Sequence, residues 1–453
     1  MTNQLRAGLL SLMAVFVLSC GGGGGGGGGA AIVGPSTLAV SGSPGDSGPG
    51  GSTGATGPGA PSTDSGGLGG IASDPGATAT AASGGDDASG VGSGGTGVST
   101  ADATGVGAVD GAGSIFVNGL RYDTRTAVGS VEDAPNGLQL GMSAKVIGPV
   151  DASFTQGIAR RVESAADLRG PVTSADAAQG SFVVLGTTVT TDEATVWADA
   201  AGLAAIPAGA TLQVWGLPSA PGLLRATRVE QRDPSATPIL TGTVQGLDPV
   251  RHSFSLGGRS VDYGNAVLSG SPDGRPLANG IIVRVRATSA AAGAPLVATL
   301  VQWWYPLPIV EAATAQFAGV VTDFAGPGSL RVLGYPVDAS AAQISGGSAG
   351  ALGNGVKVEV GGSVAGGVLR ATQLKIRNVP GTGGHASFEL IGNVGGFRSP
   401  SDFRVRGQPV NAGGSDVVFV NGSAANLANG VRVNIHGTRV VEGVLMAASV
   451  SFE

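Results

Sequence analysis

The chain has little of what catalysis, metal binding and nucleic-acid binding usually draw on. Of its 453 residues, 12% are charged and 4% aromatic, three are histidine and one is cysteine. The lone Cys20 excludes a disulfide within the chain. His252, His385 and His436 lie far apart, and no two stand at metal-ligand spacing, so no metal or other cofactor is expected. The net charge of −6 has one source. Between Cys20 and Gly111 there are seven aspartates and no Lys or Arg. With that stretch and Arg6 set aside, the 31 acids lose seven and the 25 bases lose one, and both come to 24. A neutral remainder lacks the basic footprint of phosphate-backbone binding, so nucleic acid is not an expected partner.

Long apolar runs are scarce too. Residues 7–18 form one behind Arg6. It is too short to span a bilayer and suits a signal-peptide core. Val17-Leu18-Ser19-Cys20 closes it and resembles the lipobox of bacterial lipoproteins. That resemblance implies cleavage before Cys20, acylation at Cys20 and a membrane partner through the N-terminal lipid. Each buried methylene contributes about 0.8 kcal/mol, so two or three acyl chains hold firmly. Gly21 follows the cysteine, which resembles the class destined for the outer membrane. Residues 1–19 are therefore read as a lipoprotein signal peptide of a cell-envelope protein.

What the chain has in plenty is glycine, 83 residues of it. Gly21 to Gly29 is unbroken, and Gly, Ser, Ala, Thr, Pro and Asp dominate onward. Residues 20–104 are expected to be a disordered tether, because too few large apolar groups are present to offset the ordering entropy. Its root-mean-square span would be about 50–60 Å. Gly42 to Gly57 recur every third residue, the spacing of a collagen triple helix, but six triplets with little proline favour a plain spacer. Gly90-x-Gly92-x-x-Gly95 matches a dinucleotide fingerprint by letters only, with no strand before it.

From there a segment of about 70 residues recurs. Each copy opens on Gly and an apolar run, as in Gly170-Pro171-Val172 and Gly319-Val320-Val321. An apolar pair then leads to a second Gly, as in Leu185-Gly186 and Leu333-Gly334. A Leu-x-x-Gly such as Leu277-Ala278-Asn279-Gly280 precedes an alternating strand, and an apolar run containing Ala closes the copy. Repeats are expected at 105–165, 168–232, 239–303, 316–377 and 388–453. Period-two alternation, as in Val356-Lys357-Val358-Glu359-Val360, marks strands with one core face and one polar face. Val358 and Val433 take central inward positions. The Ala-rich piece at 199–208 suits a short helix. Five short strands with a helix between the third and fourth predict an all-β tandem array of about five small OB-like barrels; a six-stranded roll or open sandwich fits nearly as well.

The run Gly113-Ser114-Ile115-Phe116-Val117-Asn118-Gly119-Leu120-Arg121-Tyr122-Asp123-Thr124, with Leu140-Gly141-Met142 after it, resembles the opening of the bacterial domain of unknown function 5666. The later Phe-x-Val-x-Gly and Leu-x-x-Gly-x-x-Val-x-Val-x-Gly patterns are similar as well. Ala287 stands in the third copy where the fourth-strand Gly is expected. The resemblance implies tandem domains on an envelope lipoprotein and lends no catalytic site.

Two residue groups remain to be weighed. Gly346-Gly347-Ser348-Ala349-Gly350 matches a hydrolase nucleophile elbow, with Asp402 or Asp416 and then His436 downstream, but it falls in a loop of a small β repeat. Trp303-Trp304-Tyr305 is the one aromatic cluster, in the joint between the third and fourth copies. It is read first as glue between copies and second as a possible ligand platform for sugar rings. The expected function is a lipid-anchored, non-catalytic binding or spacer module with a polysaccharide or protein partner. The alternatives are a carbohydrate-binding surface protein using Trp303, Trp304 and Tyr305, and an envelope hydrolase.

Overall fold

Alternating apolar residues and turn glycines give strands almost throughout. The structure is a computed structural model and describes residues 98–151, 154–291, 293–307, 311–378 and 387–453. Cys20, the tether up to residue 97, Pro308, Pro380 and His385 lie outside the described residues.

Repeat one holds β1 (Val98–Ala112), β2 (Ile115–Val117), β3 (Leu120–Asp123), β4 (Val128–Val131), β5 (Ser143–Asp151), β6 (Gln156–Ile158) and β7 (Arg161–Ser164). Repeat two holds β8 (Leu168–Asp176), β9 (Ser181–Val184), β10 (Thr187–Thr190), β11 (Val196–Trp197), β12 (Thr211–Ala220) and β13 (Leu223–Arg232). Repeat three holds β14 (Ile239–Asp248), β15 (Ser253–Leu256), β16 (Arg259–Asp262), β17 (Val267–Ser269), β18 (Ile282–Ala287) and β19 (Leu296–Trp303). Repeat four holds β20 (Thr314–Gly326), β21 (Ser329–Val332), β22 (Tyr335–Asp338), β23 (Gln343–Ser345), β24 (Lys357–Ala365) and β25 (Val368–Asn378). Repeat five holds β26 (Phe388–Ser399), β27 (Asp402–Val405), β28 (Gln408–Asn411), β29 (Val418–Val420), β30 (Arg432–Val441) and β31 (Val444–Phe452).

Each repeat closes a circuit. In repeat two β8 pairs antiparallel with β9, β9 with β10, β10 parallel with β13, β13 antiparallel with β12, and β12 antiparallel with β8 again. Repeats three, four and five close the same way. In repeat one the last strand is broken into β6 and β7. This is the expected OB-like barrel with one addition. A short extra strand (β4, β11, β17, β23 or β29) lies parallel to the last strand of its repeat. The helix expected at 199–208 is a single 3-10 turn, Leu203–Ala205.

The glycine skeleton has a steric cause. The residue before the turn Gly sits at positive φ in every repeat: Asn118 at 58°, Leu185 at 50°, Gly257 at 58°, Leu333 at 53° and Arg406 at 53°. Its side chain, where it has one, lies over the opening Gly of the same repeat. A Cβ on Gly170 would come within 2.8 Å of Leu185, on Gly319 within 2.7 Å of Leu333, and on Gly392 within 2.9 Å of Arg406. The fourth-strand Gly lies inside its strand. Gly216 and Gly437 mark bulges inside β12 and β30, where a Cβ would crowd the partner strand. Ala287 keeps the equivalent bulge in β18 without a glycine.

The repeats follow one another in sequence but do not pack only as neighbours. β1 runs parallel to β20 over Ala103–Val106 and parallel to β26 at Gly111 and Ala112. Repeat one thus touches repeats four and five. β8 pairs with β14 through Leu168 and Leu240. Repeats one and five share one core, repeats two and three share another, and repeat four has a third that takes in Leu217 and Trp304. β1 also begins at Val98, inside the segment expected to be tether, because pairing with β5 and β20 orders it.

Candidate functional site

The residues singled out by the sequence fall in different places. Trp303, Trp304 and Tyr305 are 8%, 4% and 5% exposed. Rings so covered offer no face to a sugar, so a stacking platform is not what this joint presents. Instead they reach a buried carboxylate. Asp167, between β7 and β8, is fully buried. Its Oδ1 accepts from Trp304 Nε1 at 2.6 Å and Arg284 Nη2 at 2.8 Å; its Oδ2 accepts from Ser143 Oγ at 2.6 Å and the Gly216 N–H at 2.8 Å. The Arg284 guanidinium also lies 5.0 Å from the Tyr305 ring centroid, and the Tyr305 hydroxyl donates to the Ser143 carbonyl at 3.1 Å. Burial pushes the Tyr305 hydroxyl above its ordinary pKa. One carboxylate therefore gathers repeats one, two and three and the joint to repeat four.

A second node is Asp133, in the loop after β4. Arg286 binds it with both Nη atoms, at 2.9 and 2.7 Å, and Arg169 at 2.5 Å. Burial alone would raise this carboxyl, but the two guanidinium groups outweigh it and hold it below the usual value. A third lies where β1 meets repeat four. Burial pushes the Asp110 carboxyl up to about 6, although Arg377 pulls it down. Glu359, on the face expected to meet solvent, is buried there and pairs with Arg377 at 2.6 Å.

The elbow-like Ser348 precedes the 3-10 turn Ala349–Ala351 in repeat four without a side-chain capping bond, and no hydrogen bond joins it to Asp402, Asp416 or His436. His436 faces Glu389 at 3.9 Å, and His252 packs edge-on to Tyr263. Among the described residues no three His, Cys, Asp or Glu side chains cluster as metal ligands.

The structure also forms a groove that the sequence did not indicate. A groove of about 610 Å³ opens where repeats one, two and five meet, and a second cavity of about 360 Å³ adjoins it. Arg406 lines both. The strand β27 alternates, with Phe403 and Val405 inward and Arg404 outward, and the positive φ of Arg406 lets its side chain follow outward. Arg404 Nη1 donates to the Gly407 carbonyl at 2.9 Å, and Arg406 Nε to the Ile391 carbonyl at 3.2 Å. Neither is in an ion pair among the described residues. Opposite them, Arg228 and Arg232 both bind Glu230. Aligning the copies would have shown the signal. The position before the turn Gly reads Asn118, Leu185, Gly257, Leu333 and Arg406, and only the last is charged.

The family described as domain of unknown function (DUF5666) matches residues 169–230, 318–375 and 392–451. Repeats two, four and five are tandem domains of this family. No curated protein matches the chain. The matched spans begin at the opening strands β8, β20 and β26 and end within the last strands β13, β25 and β31, so one family domain is one closed barrel. Repeats one and three share the barrel circuit of the matched DUF5666 repeats.

Proposed function

We propose that this chain is a lipid-anchored cell-envelope protein of the outer membrane, whose fused barrels form a non-catalytic binding or spacer module. The observation that carries the anchor is the single cysteine, Cys20, placed directly after the apolar run of residues 7–18. A non-catalytic role is supported by where the candidate nucleophile sits. Ser348 and His436 belong to different repeats, and the titratable groups that do converge, at Asp167 and Asp133, are spent on buried ion pairs between repeats. A binding role is supported by the open groove at the junction of repeats one, two and five, with a polysaccharide or envelope protein as partner.

The test is Cys20→Ser in the native host. The wild-type chain should fractionate with membranes and carry acyl chains at Cys20 by mass spectrometry, and the variant should move to the soluble fraction. A variant that stays membrane-bound, with no lipid on the wild-type cysteine, overturns the anchor. Protease shaving of intact cells then tells whether the barrels face outward.

A further inference from the structure

We propose that the groove between repeats one, two and five binds an acidic polysaccharide, a polymer of sugar carboxylates, through its arginines. The proposal rests on the binding-module reading above and names the ligand class.

Six arginines line the two adjoining cavities: Arg121, Arg125, Arg228, Arg232, Arg404 and Arg406. Three of them are already matched, Arg125 by Asp123 and the pair Arg228 and Arg232 by Glu230. The other three, Arg121, Arg404 and Arg406, are exposed; Arg404 and Arg406 are in no ion pair among the described residues, and Arg121 lies within electrostatic reach of Asp123. Arg404 and Arg406 each spend an N–H on a backbone carbonyl. A guanidinium has five N–H donors, so each is held in place and still has donors for a carboxylate. The forked geometry suits carboxylate oxygens two at a time.

The backbone at Arg406 is common to all five repeats, but the outward cation it carries is specific to one. In repeats two and four the same position carries Leu185 and Leu333, both buried. In repeat one it carries the buried Asn118, whose amide donates to the Val106 carbonyl at 3.0 Å. Repeat five alone turns the position outward as a cation, over Gly392, and into a cavity.

The rest of the lining narrows the ligand. It includes no aromatic ring, so neither base stacking nor the stacking of a neutral sugar is available. Asp199 and Glu442 stand among the arginines. They would oppose the dense charge of a polyphosphate or nucleic acid, but they can accept hydrogen bonds from sugar hydroxyls. A lining that holds both guanidinium and carboxylate groups suits a chain that carries both carboxylates and hydroxyls. Gly113, Gly407 and Gly443 keep the walls low, so a long chain can pass along the backbone.

The experiment uses the full chain with polygalacturonate as probe, and dextran, polyphosphate and single-stranded DNA as comparators, by calorimetry at low and high salt. Binding to a wild-type envelope polysaccharide fraction is measured alongside. Arg404→Glu with Arg406→Glu should lower polygalacturonate affinity about ten-fold or more. Arg331→Glu is the control, because Arg331 makes the same local bond in repeat four, to the Gly334 carbonyl at 2.7 Å, outside the groove. It should change little. Equal binding by the double variant and wild type, with both folded by circular dichroism, overturns the proposal. So does binding of polyphosphate or DNA as tight as that of polygalacturonate. If the double variant still binds the envelope fraction, the groove assignment fails while the binding module stands. If the wild-type chain binds neither the probe nor the fraction, both fail.

Discussion

The indole N–H of Trp304 donates to Asp167 Oδ1 at 2.6 Å, across 137 residues of sequence. Arg284 holds the same oxygen from a third place in the chain. An aspartate between repeats one and two is thereby the partner of a tryptophan between repeats three and four. The link explains why the aromatic joint is buried and why the array folds back on itself.

Asp167→Asn should be among the most damaging single changes. It removes the charge that answers the fully buried Arg284, and breaking one side of a buried pair costs about 3–5 kcal/mol. Urea unfolding should show the loss. The double variant Asp167→Asn with Arg284→Met should recover part of it, because the orphan charge is then gone. A single variant within about 0.5 kcal/mol of wild type would show that the node is not structural.

The strand phase in repeat four is tested by adjacent residues of β24. Val358 is fully buried and Lys357 is half-buried. Val358→Asp would bury an unpaired charge, at a cost of several kcal/mol, and should unfold at least repeat four. Lys357→Asp should cost far less, but it is not silent. Lys357 lies beside Asp110, Glu359 and Arg377, so an acid there adds repulsion. Limited proteolysis within 311–378 separates the two outcomes.

Stability should depend on pH through two aspartates of opposite sign. Asp133 lies below its ordinary value in the fold, so its contribution is present above 3.8 and is lost as pH falls through the folded value. Asp110 is raised from 3.8 to about 6. Its contribution is complete below 3.8 and is lost as pH rises through about 6. Asp133→Asn should weaken the protein at neutral pH and flatten the acid limb. Asp110→Asn should remove the decline between pH 4 and 6 without harm at neutral pH. The Asp110 side chain is 27% exposed, so solvent reduces its share. Denaturant midpoints across pH for the wild type and each variant check both signs.

All four tryptophans, Trp197, Trp215, Trp303 and Trp304, are buried. Iodide should therefore quench the native protein far less than free indole, and unfolding should restore full quenching. Trp303→Ala with Trp304→Ala should loosen repeat three from repeat four, seen as new cleavage between Gln302 and Gln316. Quenching of the native chain at the rate of free indole would mean that the joint is open.

The local levels were legible in the sequence, because each is fixed by a few neighbours. Alternation of Val356, Val358 and Val360 shows a half-buried strand, since successive side chains leave opposite faces. The Gly spacing shows the turns, and the third Leu-x-x-Gly needed no structure to be read as a repeat mark. The OB-like order follows from strand count and the place of the short helical turn. That Gly170, Gly319 and Gly392 are needed beneath a turn residue was not legible, because the contact joins residues from two strands.

The arrangement of the five barrels was decided only in three dimensions. The repeat grammar treats the copies alike and says nothing of which barrels touch. β1 settles it by pairing with β20 and β26, more than two hundred residues away. The same folding covers Glu359, which alternation had assigned to water, and sets Arg406 beside Arg228 in a groove that no single repeat contains. Sequence fixes what a strand does with its own two faces; only packing between barrels determines which polar faces are buried, because that depends on surfaces brought together from distant parts of the chain.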